Sequence, residues 1–247
     1  MRDLIKAEWR KAFTGRVWWI SLLAGVFLTL LSTFGLASQG KEEVAAGTTD
    51  LVTLTDGLAR NAFAILLFVG ILCAVLVARE YASGSISRSV VVAGRSRLFS
   101  AKLVAATGIG AVFGAVAVVV GFAGTWAIMT AYGLTPEFSG TTVATLAGVF
   151  AVNVLAAPWG AALGWILRSP VVAVSVVLAL ALLVEPGIQA LAPSVGQFFL
   201  TIAMSSVYGD VKPVLLSLPV AAAVIAGWLV VLSLVARKQL QTQDISS

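Results

Sequence analysis

Six long apolar runs, each closed off by charged or turn-forming residues, constrain what this chain can fold into. They lie at about 17–37, 59–78, 103–131, 143–167, 170–191 and 214–236. A helix rises ~1.5 Å per residue, so about 20 residues cross the ~30 Å hydrocarbon layer. The first, second, fourth and sixth runs fit that length, and the third is long enough to tilt or project. Backbone groups in hydrocarbon must be satisfied within the segment, so isolated runs of this length cross as helices. Glu185-Pro186 interrupts the fifth run, and Glu185-Pro186-Gly187 is expected to break that helix near its far end. Of the 247 residues, 60% are apolar and only 11% charged, against roughly 25% charged in soluble domains. The expectation is an all-α polytopic membrane protein with six transmembrane helices, forming one transmembrane domain over 1–247.

The charges orient the spans. Residues 1–16, the 79–102 loop, Arg168 and the tail after Ala236 together hold 13 Lys/Arg and 4 Asp/Glu. The 38–60 loop, 132–142 and 185–213 hold 3 Lys/Arg and 7 Asp/Glu. Basic residues stay cytoplasmic, so both termini are expected in the cytoplasm and the chain in the plasma or inner membrane. Gly35-Leu36-Ala37 offers small residues for signal cleavage, but the apolar run before it is too long for a signal peptide and reads as a spanning helix.

Residues 1–16 read as an amphipathic helix in the headgroup plane. Leu4, Ile5, Trp9, Ala12 and Phe13 share one half of the wheel, and Arg2, Asp3, Lys6, Arg10 and Lys11 lie mostly on the other. Glu8 intrudes on the apolar side. Such a helix binds anionic lipid and sets orientation, or also touches a cytoplasmic partner. Trp18 and Trp19 follow at interfacial depth. The chain has no histidine and a single cysteine, Cys73, within an apolar run. His-dependent catalysis, His metal sites and an intrachain disulfide are therefore excluded. Neither catalytic residues nor a metal site are expected, and nothing points to nucleic acid.

The 79–102 loop is the most informative stretch. It runs Arg79-Glu80-Tyr81-Ala82-Ser83-Gly84-Ser85-Ile86-Ser87-Arg88, continues through Val90-Val91-Val92-Ala93-Gly94-Arg95-Ser96-Arg97, and ends at Lys102. Ser83 or Ser85 is placed to cap a short helix with Ile86 and Val90 on one face, although the valines also suit a short strand. Its basic residues read either as orientation signals or as contacts. Glu80, Gly84-Ser85-Ile86, Arg97 and Lys102 resemble the signature of ABC-2 type transporter permeases. These carry a Glu ending the second helix, a Gly-Thr-Leu-like triplet, then a Pro-x-x-Arg segment leading to a Lys that opens the third helix. Here Ser85 replaces the usual Thr, and Ala93-Gly94 stands where proline is common.

That resemblance covers essentially the whole chain and implies a mechanism. The loop would be a coupling helix docked on a separate ATP-binding subunit, with Arg79, Glu80, Gly84, Ser85, Arg88, Arg97 and Lys102 as its contacts or anchors. Gly84 would permit close backbone approach or a special φ. Two copies of the ATPase, holding ATP and Mg, would drive two permease chains, identical or paralogous, between inward- and outward-facing states. No cofactor would sit on this chain. Family substrates include drugs, antibiotic peptides, lipids and polysaccharides. Phe63, Leu67 and Phe68 would be candidates for a hydrophobic pathway, with packing as their default role.

After Pro193, the apolar piece from Phe198 to Val207 is too short to cross and reads as a re-entrant or interfacial segment, or a partly buried outer loop. It resembles the re-entrant segments that ABC-2 permeases place between the last two spans. Glu185 is the acid nearest hydrocarbon and reads as interfacial and water-facing, with substrate contact as the alternative. Asn153 lies mid-span, followed by Pro158, and is placed to hydrogen-bond across helices or to meet substrate. Gly110-x-x-x-Gly114 and Gly160-x-x-x-Gly164 allow close helix approach. Gly35-x-x-x-x-Gly40-Lys41 imitates a phosphate-binding loop, but Glu42 replaces its Ser/Thr and no strand precedes it. The leading expectation is the membrane subunit of an ABC exporter. The alternative is a secondary transporter or channel, for which inverted repeats and intramembrane acids would be expected.

Overall fold

Helices outrun the apolar segments that call for them, because a formed hydrogen-bond ladder propagates into water more easily than a new one starts. The computed structural model describes residues 1–212 and 214–242. Pro213 and residues 243–247, with Asp244 of the C-terminal tail, lie outside the described residues. α1 (Arg2–Phe13) precedes a first span, α2 (Val17–Ala45), that runs through Lys41 and Glu43. The Gly35–Lys41 stretch is thus helical and offers no phosphate loop. Asp50 starts the second span by accepting the Thr53 N–H at 2.8 Å. This span comprises α3 (Leu51–Arg60), a 3-10 turn (Asn61–Ala64) and α4 (Ile65–Ala82). α5 (Ser85–Ala93) separates it from the third span, formed by α6 (Arg95–Val119), a π-turn (Val120–Gly124) and α7 (Thr125–Ala131). α8 (Gly140–Leu167) is the fourth span, capped reciprocally by Ser139 and Thr142.

The fifth span does not break at Glu185-Pro186-Gly187 as its sequence implies. α9 (Pro170–Ala179) widens into a π-turn (Leu180–Val184), and α10 (Glu185–Leu191) continues the same crossing. Pro186 has no N–H to return to the preceding turn; the ladder loosens just ahead of it, and the proline sits in the first turn of the resumed α-helix. Short helices α11 (Pro193–Gly196) and α12 (Leu200–Val207) lead to α13 (Leu218–Thr242), the sixth span. The protein is all-α, 85% helical, with no strand among the described residues and six helices able by length and composition to cross a membrane.

α8 is the spine. In its most apolar stretch 67% of residues are buried, against 11% for the sixth span. It packs most extensively on α4 and α6, and its small residues explain how. A Cβ at Gly160 would run into the Gly70 carbonyl, and one at Gly164 into that of Ala74. On the other flank, Gly110 and Gly114 of α6 leave room for the α8 backbone at Asn153 and Phe150. Both glycine pairs are therefore used inside the chain. Polar bridges tie one end of the bundle. Asp56 accepts from Thr142 and, at 3.4 Å, from Ser139, joining the second span to the fourth. Asn61 Nδ2 donates to Ser32 Oγ at 2.6 Å and Thr33 Oγ1 at 3.0 Å, joining it to the first.

Because the atom in the way at Gly160 is backbone, Gly160→Val has no flexible side chain to displace. It is expected to cost about 1–3 kcal/mol or more by overpacking. Gly35→Ala, with open space around its Cβ, should leave thermal unfolding in detergent unchanged.

Candidate functional site

Four elements meet at the end of the bundle that carries the basic segments. α1 turns Glu8 and Ala12 inward and keeps Arg2, Asp3, Lys6, Arg10 and Lys11 at the surface. Its Trp9 lies against α6 at Gly108 and contacts Phe13, which in turn meets Trp18. Glu8 is the acid that broke the apolar side of the wheel. It does not face water: Lys102 Nζ of α6 donates to its Oε2 at 2.5 Å, and Lys11 Nζ to its Oε1 at 2.7 Å. The same Lys102 Nζ reaches Glu80 Oε1 at the end of α4, 2.6 Å away, and Lys11 reaches that oxygen at 3.3 Å. Lys102 and Glu8 are each only 6% exposed. Two carboxylates and two ammoniums thus form a neutral, largely buried knot linking α1, the second span and the third. Burial alone would raise the Glu8 pKa, but the charge of Lys102 and the hydrogen bonds from Lys102 and Lys11 outweigh it and leave it below the usual 4.5. For Lys11, burial pulls downward, yet the bond to Glu8 and the charge of Glu80 hold it above 10.5.

Between the knot's Glu80 and Lys102 the chain makes α5. Gly84 opens it at φ 66° and Gly94 closes it at φ 75°. Nothing lies within 4 Å of a Cβ at Gly84, so its left-handed backbone, and not close approach, demands glycine. Gly94 makes the bend between α5 and α6. The segment is helix, not strand. Ser83 and Ser85 do not cap it: their hydroxyls pair with each other at 2.9 Å beside the Glu80 carbonyl. Ile86 is buried, Val90 and Ala93 are half-buried, and Arg88, Val91 and Val92 point outward. Val91 and Val92 are 86% and 87% exposed. Arg79 and Arg97 are exposed on either side of α5. Arg95 donates to the Gln241 carbonyl of α13, and Arg237 approaches Ser96 Oγ at 3.5 Å. Tyr81 and Phe99 pack on buried Trp165 of α8, with Arg168 stacked 5.2 Å over Tyr81.

The residues proposed for a pathway are not brought together. Phe63 stacks on Tyr208 at 4.8 Å. Leu67 is half-buried against the core, and Phe68 faces Gly25 of the first span. Asn153 is fully buried toward α6 and bonds within its own helix, to the Val149 carbonyl at 2.8 Å, instead of across helices. Its Oδ1 has no partner. Glu185 is not water-facing. At 4% exposure it accepts the Thr201 N–H at 2.6 Å and the Thr201 hydroxyl at 2.5 Å. Its carboxylate meets the start of α12 and satisfies a helix-end donor there. Among the described residues no cluster of His, Cys, Asp or Glu could hold a metal.

Sequence reading missed the partnership of Glu8 and Lys11 with Glu80 and Lys102. Its visible trace was an acid on an otherwise apolar helix face. Glu8→Gln leaves Lys102 with Glu80 as its remaining carboxylate and should cost about 1.5–3 kcal/mol of charged hydrogen bonding, read as faster hydrogen exchange of residues 2–13. Glu8 stabilises α1 docking above pH 4.5, and that contribution is lost as pH falls through its lowered value. Lys11 stabilises it below pH 10.5, and that contribution is lost as pH rises through its raised value. Protection of α1 should therefore be flat between those limits and fall outside them.

No curated protein matches the chain. The family described as ABC-2 family transporter protein matches residues 4–184, from α1 to the π-turn of the fifth span, and the chain therefore belongs to the ABC-2 transporter family.

Proposed function

We propose that this chain is the permease subunit of an ABC exporter in the cell membrane, with both termini cytoplasmic, and that α5 is its coupling helix. The observation that carries this reading is the ion knot beneath α5. Glu80 precedes the helix and Lys102 follows it, and both are held to one buried cluster. A push on α5 is thereby delivered to the second and third spans and to α1 together, instead of being lost in a flexible loop. The outward face of α5 is chemically suited to a protein partner: two exposed valines flanked by Arg88 and Arg97. The partner is a separate ATP-hydrolysing subunit, in two copies, which supplies ATP and Mg. A second permease chain completes the pathway, and the α11–α12 segment forms a re-entrant gate at the outer end, capped by Glu185.

Co-purification from membranes after co-expression with neighbouring reading frames tests this. The wild-type chain should retain an ATPase in stoichiometric amount. Val91→Asp/Val92→Asp should lose it while inserting normally, because charges would enter an apolar contact. Glu80→Lys should retain less ATP-driven transport without loss of insertion. A wild-type chain that elutes alone in gentle detergent would favour a secondary transporter instead.

A further inference from the structure

At the end of the bundle opposite α5, an open cleft of about 380 Å³ lies between the ends of the first and second spans and the segment after α12. Leu36, Phe63 and Val211 give it accessible apolar surface over nearly sealed Leu54 and Leu58, and Arg60 lines it. Arg60 ends α3 just before the 3-10 turn that interrupts the second span. It is half-buried, its Nε is shielded from solvent with no hydrogen-bond partner, and no acceptor pairs with its guanidinium among the described residues. Asp210 is paired with Lys212, and Glu43 keeps its charge at the exposed rim, where it accepts from Thr49 Oγ1 at 3.3 Å. Asn61 is spent on the first span.

A half-buried guanidinium without a counter-charge is costly, and its planar donors match carboxylate or phosphate. The volume and mixed lining are those of a small-ligand site. We propose that this cleft binds an anionic amphiphile, with Arg60 taking the carboxylate or phosphate head and the Leu36, Phe63 and Val211 surfaces taking the apolar body. The inference rests on the transport reading and gives it a substrate class. The head is bound where the second span can change shape: a 3-10 turn has weaker hydrogen bonds than the α-helix on either side of it.

The test uses the purified full chain in dodecyl maltoside, with dodecyl phosphate as probe. Dodecyl phosphate should raise the thermal unfolding temperature, and inorganic phosphate alone should not. Arg60→Gln should bind at least about tenfold more weakly, and Arg60→Lys should retain part of the affinity. Equal stabilisation of Arg60→Gln, equal stabilisation by inorganic phosphate, or no shift in the wild-type chain would each overturn the proposal. Should Arg60→Gln fail to insert, a photoreactive alkyl phosphate on the wild-type chain decides: label within 36–63 or at 210–211 supports the cleft, and label elsewhere refutes it. The assay needs no ATPase, so its failure leaves the coupling reading standing, and loss of ATPase co-purification leaves this one untouched.

Discussion

An ammonium group at the mouth of a membrane helix has few places to put its charge. Lys102 lies about two turns inside the basic end of the third span, almost sealed from solvent, and is matched by carboxylates from two other elements. Breaking such a buried pair strands an uncompensated charge, which ordinarily costs about 3–5 kcal/mol. Much follows from this. α1 cannot leave without taking the Glu8 carboxylate from Lys102, and α5 is strung between two members of the knot. Trp165, Tyr81 and Phe99 fill the space beside it with rigid aromatic packing. The joint between α1, the second span and the third is therefore built from charge matching backed by close packing.

The opposite end is organised differently. There, neutral and singly charged groups make short bridges between spans: Asp56 to the α8 cap, Asn61 to the first span, Glu185 to the start of α12. Between the two ends α8 runs as a glycine-notched spine against α4 and α6. The first, fifth and sixth spans carry exposed apolar side chains, including Phe27, Leu31, Leu183 and Leu234. That is the surface that lipid or a neighbouring membrane chain covers. The three inner helices α4, α6 and α8 approach backbone to backbone at Gly70, Gly110, Gly160 and Gly164.

The spans and the all-α architecture were legible because the bilayer imposes length and composition on each segment separately. α5 was legible as a short helix with Ile86 and Val90 on one face or as a short strand, and the structure makes it helix. Its helical form depends on Gly84 and Gly94 adopting left-handed angles, and on Ile86 finding a buried site, none of which hydropathy reports. Glu8 shows what was within reach: an acid among Leu4, Ile5, Trp9 and Phe13 implied a buried cation. Its identity was hidden, since Lys102 is brought near only by the hairpin of the second and third spans. Glu185-Pro186 misled because proline removes one donor but does not dictate where the slack is taken up, and a π-turn absorbed it. Asn153 misled because its own helix offered a carbonyl first.

The account turns on α5 being the surface through which force enters. A photo-cross-linker at position 92, with the chain in its native membrane, addresses this directly. The predicted product joins the chain to an ATP-hydrolysing subunit, and the same reporter at position 195, near the other end, does not form it. Cross-links from position 92 to lipid alone, or an ATPase captured from position 195 instead, would contradict the account.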